Sequence, residues 1–86
     1  MADPVSWYAI ETGWRVQSLD GTPVGLVEEV LGDDALDIFN GLRISLGIGR
    51  IPRYVPSEQV GTIETGAVTI ELLADEVGDL EPSRDA

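Results

Sequence analysis

Asp20-Gly21-Thr22-Pro23-Val24-Gly25-Leu26-Val27-Glu28-Glu29-Val30-Leu31 is the stretch that decides how this chain folds. It opens on an Asp-Gly pair, and glycine tolerates the positive φ that a hairpin turn requires. Val24, Val27 and Val30 then recur every three residues, a spacing that suits a helix about as well as a strand. Gly25 in the interior and the β-branched content weigh against a helix. Alternate residues of a strand face opposite sides, so all three valines can share one interior only where bulges insert extra residues. Bulges also sharpen bends, and such bends close small barrels. The stretch is therefore read as a bulged, strongly bent strand.

The segments on either side agree with a β-sheet reading. Upstream, Trp14, Val16 and Ser18 alternate with Arg15 and Gln17, the pattern of a half-buried strand. Downstream, Gly32 to Ala35 reads as a turn and Ile38 to Leu46 as a third strand, with Leu42, Ile44 and Leu46 inward and Arg43 and Ser45 outward. Gly47-Ile48-Gly49 connects it to a fourth strand, Arg50 to Val55. Pro52 cannot donate to a ladder, which places that strand at an edge or a bulge. Pro56 to Val60 reads as one helical turn with Pro56 just inside its start. Gly61 to Ile63 is a short strand, Glu64-Thr65-Gly66 a hairpin loop, and Ala67 to Leu72 a last strand with Val68, Ile70 and Leu72 inward. From Asp75 as N-cap, a short helix would turn Leu73, Val77 and Leu80 toward one end of the barrel. The expected fold is an all-β, strongly bent barrel of about six strands with a short C-terminal helix. Residues 1–11 form an arm, 12–80 the domain and 81–86 a polar tail.

Composition narrows the function. Eighty-six residues make one domain with a small core and little interior to spare for a deep cleft. A hydrophobic content of 43% is that of a folded protein. Sixteen acids against five arginines, with no lysine, give a net charge of −11. Such a surface repels phosphate backbones and anionic membranes, which argues against nucleic-acid and membrane partners. Met1-Ala2-Asp3-Pro4 has neither the basic nor the apolar region of a signal peptide, and no apolar run is long enough to span a bilayer, so a cytoplasmic protein is expected.

The residues that usually carry chemistry are missing. Without His, Cys or Lys there is no common general base or activated nucleophile, so no catalytic residue and no cofactor are expected. Carboxylate pairs need a cleft to hold them at fixed separation, and a barrel filled by its own aliphatic side chains offers none. For metals only oxygen-ligated ions remain, and Asp33, Asp34, Asp37 and Asn40 are the best cluster. Their spacing does not match an EF-hand loop and a solvated turn accounts for them equally well. Gly47-x-Gly49 before Arg50 lacks the following helix of a phosphate cradle. Arg43, Arg50 and Arg53 form a local basic group that would suit an acidic partner or RNA, or else pair across strands with Glu28, Glu29 or Glu71. Trp7, Tyr8 and Ile10 either cap the barrel or dock into a partner, as aromatics do at interfaces.

The order of these segments resembles the PRC-barrel family, the small barrel of the photosynthetic reaction-centre H subunit and of the ribosome maturation factor RimM. The matching residues are the Asp20-Gly21 turn, Val24-Gly25-x-Val27, Glu28-Glu29 before Val30-Leu31, Val55-Pro56-x-x-x-Val60, and the final Val68 to Leu72 strand. Together they span about Gly13 to Leu73. The H subunit's membrane helix and RimM's additional N-terminal barrel have no counterpart here, so a reaction-centre role is not expected. The resemblance implies a non-catalytic module that docks to other proteins, with homodimerisation open to it. Trp7, Tyr8, Arg50, Arg53 and Tyr54 are the contacts expected on its exposed face. An RNA-associated, RimM-like assembly factor is the alternative, and a cation or small-molecule sensor a second one.

Overall fold

The computed structural model describes residues 6–33, 35–36 and 38–82. Six strands, β1 (Arg15–Gln17), β2 (Pro23–Asp33), β3 (Ile38–Ser45), β4 (Arg53–Pro56), β5 (Val60–Glu64) and β6 (Ala67–Ile70), form one sheet in the order β4-β3-β2-β1-β6-β5. The sheet curls into a half-barrel, with β4 and β5 as its two edges. Neighbours pair antiparallel except β1 and β6, which run parallel. This short first strand thus joins the two ends of the chain.

The decisive stretch is a strand, and it carries the bulges its valines demand. Against β1, Val16 faces Gly25 while Gln17 faces Pro23, so Val24 is an extra residue. Against β3, Val27 faces Ile44 while Glu29 faces Arg43, so Glu28 is a second one. A third irregularity falls on the partner strand: Leu31 faces Gly41 and Gly32 faces Phe39, leaving Asn40 unpaired. Each extra residue reverses the inside-outside alternation and tightens the local twist. Val27 is consequently buried outright, while Val24 and Val30 are partly buried against the same core.

Val16, Val27, Leu42, Ile44, Val55, Val68 and Ile70 have essentially no solvent exposure. Full burial of side chains of this kind stabilises by about 1.5–3 kcal/mol each. From outside the sheet, Ile10 of the arm and Val77 of the C-terminal segment complete the cluster. Ser18, the sole buried polar residue described, is fully served at the β1–β2 turn. Its hydroxyl donates to Asp20 Oδ1 and accepts from the Thr22 amide at 3.1 Å, and its own amide donates to the Thr22 carbonyl at 2.8 Å.

Several boundaries differ from the sequence reading. The fourth strand starts at Arg53 rather than Arg50, because Gly47 to Pro52 remains a loop. It does lie at an edge. Pro56 is the N-cap of the 3₁₀ turn Ser57–Gln59, just outside it instead of within. The C-terminal helix is a 3₁₀ helix, Ala74–Asp79, and its N-cap is Leu73, not Asp75. There the Leu73 amide donates to Glu76 Oε1 at 2.8 Å, so a carboxylate reaching back from the first turn replaces the expected Asp cap. Val77 is buried as anticipated, but Leu73 faces solvent at 44% exposure. The tail is anchored at its start: the Glu81 carbonyl accepts from the Tyr54 amide at 2.9 Å, and Pro82 bridges Arg53 on the outer edge of β4. A proline there cannot extend the ladder, which blunts the edge.

Candidate interaction site

Of the five residues expected to make contacts, three are engaged in holding the fold. Trp7 stacks on Phe39 at the start of β3, with ring centroids 5.2 Å apart. Its other neighbour is Tyr8, at 4.3 Å, and Tyr8 remains half exposed. The arm is thus stapled to its own sheet. Arg53 donates from Nη1 to the Leu80 carbonyl at 2.8 Å, which fastens the C-terminal segment. Tyr54 donates its hydroxyl to the Asn40 carbonyl at 2.7 Å, closing over the irregularity at that residue. Tyr8 and Arg50 are the two that still present themselves to solvent.

Arg43 is neutralised in the way cross-strand pairing would have it. Its Nε lies 3.1 Å from Glu28 Oε1 and its Nη2 2.7 Å from Glu29 Oε1. Consecutive side chains of a regular strand point to opposite faces. The bulge at Glu28 removes that constraint, so both acids reach one guanidinium.

Arg50 stands differently. It belongs to the β3–β4 loop, where Gly47 (φ 131°) and Gly49 (φ 79°) turn the backbone tightly about Ile48 and the Arg50 amide donates to the Gly47 carbonyl at 3.2 Å. Ile48 is wholly exposed at the tip and Ile51 nearly half exposed beyond it. Beneath the loop lies a depression of about 210 Å³. Pro23, Val24, Leu46, Ala74 and Val77 line it, with Arg50 as its charged residue. No ion pair to Arg50 forms among the described residues. No acidic residue lines the depression itself, but Asp75, Glu76 and Asp79 stand on the C-terminal helix that forms one of its walls.

One signal for this site was present in the sequence and missed. Sixteen acids are spread over the chain, yet none occurs from Ile38 to Ser57, while three of the five arginines do. The gap covers β3, the tip loop and β4. Attention to the arginines alone could not separate Arg50 from Arg43 and Arg53, because pairing partners are set by the bulge and by the returning tail.

The acidic turn gives no metal site among the described residues. Asp33 Oδ1 accepts from the amides of Ala35 at 3.0 Å and Leu36 at 3.3 Å, the ordinary task of an Asp at a turn. Asp34 and Asp37 lie outside the described residues.

No known family model matches the chain. It is similar to part of peptide chain release factor 1 from Salinibacter ruber, 33% identical over 82 residues that make up 88% of this chain and 23% of that protein. The corresponding protein of Rickettsia bellii is 35% identical over 77 residues, covering 86% of this chain and 21% of its own. That of Sulfurovum is 30% identical over 79 residues, covering 88% and 22%. The chain therefore spans less than a quarter of the length of the curated relatives it matches.

Chemically, the tip offers exposed aliphatic side chains, a small hollow and, in Arg50, a cation with no ion pair among the described residues. Ligand pockets for cofactors and small metabolites run to about 300–1,000 Å³. A hollow of 210 Å³ has the size to seat a side chain rather than such a molecule. No helix among the described residues is long and apolar enough to cross a membrane.

Proposed function

We propose that this chain is a non-catalytic docking module of PRC-barrel type, working in the cytoplasm, which holds a protein partner against its β3–β4 tip. The observation that carries the reading is a wholly exposed Ile48 beside an exposed Arg50 at the tip loop, within the acid-free stretch from Ile38 to Ser57 of an otherwise acidic sequence. Exposed aliphatics rimmed by a charged group are the usual makings of a small interface. The absence of His, Cys and Lys leaves no ordinary base or nucleophile to support an enzymatic reading. The test is comparative capture from lysate with the wild-type chain, Ile48→Asp and Arg50→Glu. A partner retained by wild type and lost by both variants is expected; identical capture by all three would refute docking through the tip.

The similarity to part of peptide chain release factor 1 favours a second reading, in which the partner belongs to the translation apparatus. The resemblance to RimM points the same way. Direct RNA binding rests mainly on phosphate neutralisation, so a net charge of −11 favours a protein component of that apparatus over RNA. Sedimentation of the chain with ribosomes, reduced by Ile48→Asp, supports this reading; no co-sedimentation at low salt removes it.

A further inference from the structure

We infer that residues 74–82 form a strap that regulates the docking site. Seated on β4 it keeps the site partly covered, and its release uncovers Arg53, Tyr54, Val24 and Leu46 beside the tip. This deepens the docking reading above, and its regulatory part rests on that reading.

The strap is continuous with the tip. The loop Gly47 to Pro52 runs directly into β4, and the strap lies along the outer edge of that strand. There the Glu81 carbonyl accepts from the Tyr54 amide at 2.9 Å and Pro82 faces Arg53. Its helix, Ala74–Asp79, supplies Ala74, Val77 and Gly78 to the hollow, opposite Pro23, Val24, Leu46 and Arg50. A partner reaching past Ile48 and Arg50 meets the strap next, and with it Asp75, Glu76, Asp79 and Glu81.

Little holds the strap in place. Val77 is its one buried side chain among the described residues, and Leu80 is partly buried against the core. None of its described acids forms an ion pair. Pro82 has no N–H to donate, so the backbone tie to β4 among the described residues is the Tyr54–Glu81 bond. Two features oppose the seated state. A hollow of about 210 Å³ separates the strap from the sheet, where a close-packed interior leaves no such gap. Arg53, whose Nη1 serves the Leu80 carbonyl, has its Nε buried with no hydrogen-bond partner. A buried donor left unmade is costly, and lifting the strap opens a path for water to it. An element held by few contacts opens locally while the rest of the fold stays closed.

Native-state hydrogen exchange on the full-length chain tests the opening. The Tyr54 amide reports the strap, and the Val27 amide, bonded to the Trp14 carbonyl in the core, reports global unfolding. Protection at Tyr54 is expected to be at least about a hundredfold lower than at Val27. The chain has no cysteine, so Arg53→Cys with Pro82→Cys gives one disulfide across directly opposed residues, a spacing such a bond can span. Oxidation of that pair should close the gap in protection, and reduction should restore it. Equal protection of Tyr54 and Val27 in the wild-type chain would overturn the inference and leave the docking reading untouched.

Capture from lysate tests the regulation. Leu80→Ala, which loosens the strap, should raise capture by up to about tenfold, because apparent affinity scales with the open fraction. The oxidised cysteine pair should capture less than the same protein reduced. Equal capture by the two redox forms would overturn the regulatory role. Capture that follows the lock but ignores Ile48→Asp and Arg50→Glu would overturn docking through the tip and leave the strap standing.

Discussion

Replacing Gly25 by alanine tests whether the kinked β2 ribbon is as closely packed as its valines require. Gly25 sits between the two bulges, opposite Val16. A Cβ placed there would collide with the Ser45 carbonyl oxygen, with the carbonyl carbon at 3.1 Å and Leu46 Cδ2 at 3.5 Å. The first two are backbone atoms and cannot rotate aside. β2 and the end of β3 would have to separate where Leu26 pairs with Ser45. Overpacking of this kind costs about 1–3 kcal/mol. Against it stands the smaller unfolded-state entropy of alanine, worth about 0.4–1 kcal/mol. A net loss of about 1–2 kcal/mol follows, and for a domain of this size about 4–8 °C of melting temperature accompany each kcal/mol. Urea unfolding followed by the fluorescence of Trp7 and Trp14 measures it, with an unchanged m-value as the condition for comparison. Gly78→Ala is the control, because nothing lies within 4 Å of a Cβ at that position. If Gly25→Ala proves as stable as Gly78→Ala, the close approach of β2 and β3 is not what the glycine is for.

Two further outcomes are expected. The carboxyl of Asp20 lies below its ordinary pKa of 3.8, first because the Ser18 hydroxyl donates to it and then because Thr22 does. A carboxylate with a depressed folded-state pKa lends stability that is complete above the unfolded value and lost as pH falls through the folded one. The melting-temperature gap between wild type and Asp20→Asn should therefore be widest near neutrality and close in acid; a gap independent of pH refutes it. Arg43→Gln should cost up to about 1 kcal/mol at low salt by leaving Glu28 and Glu29 unpaired side by side, and the cost should shrink as salt is added. A loss insensitive to salt in urea titrations would assign Arg43 to packing instead.

The strands were legible because their signals are local. Gly21 marks a turn with φ 90°, Gly66 another with φ 87°, and alternation picks out Leu42, Ile44, Val68 and Ile70 as buried. Even the bulges could be reasoned from valines spaced by three, since strand periodicity leaves no other way to bring them to one interior. The parallel pairing of β1 with β6 could not. It depends on where a three-residue strand lands after the chain has closed on itself, and nothing in Arg15–Gln17 states that. The C-terminal cap was misplaced for a related reason. Asp75 has the better intrinsic propensity, but Leu72 and Val77 are drawn to the core and set the start of the helix one residue after Leu73.

Placement of the site turns on what the fold does to three arginines that look alike in sequence. The bulge at Glu28 gives Arg43 two carboxylates, and the returning tail gives Arg53 a carbonyl. Arg50 is held away from both by a loop of two positive-φ glycines, over a small hollow built from the start of β2 and the C-terminal helix. Asp75, Glu76 and Asp79 stand on that helix, so the acid-free stretch of β3 and its loop faces an acidic wall across the hollow, and Arg50 lies where the two meet.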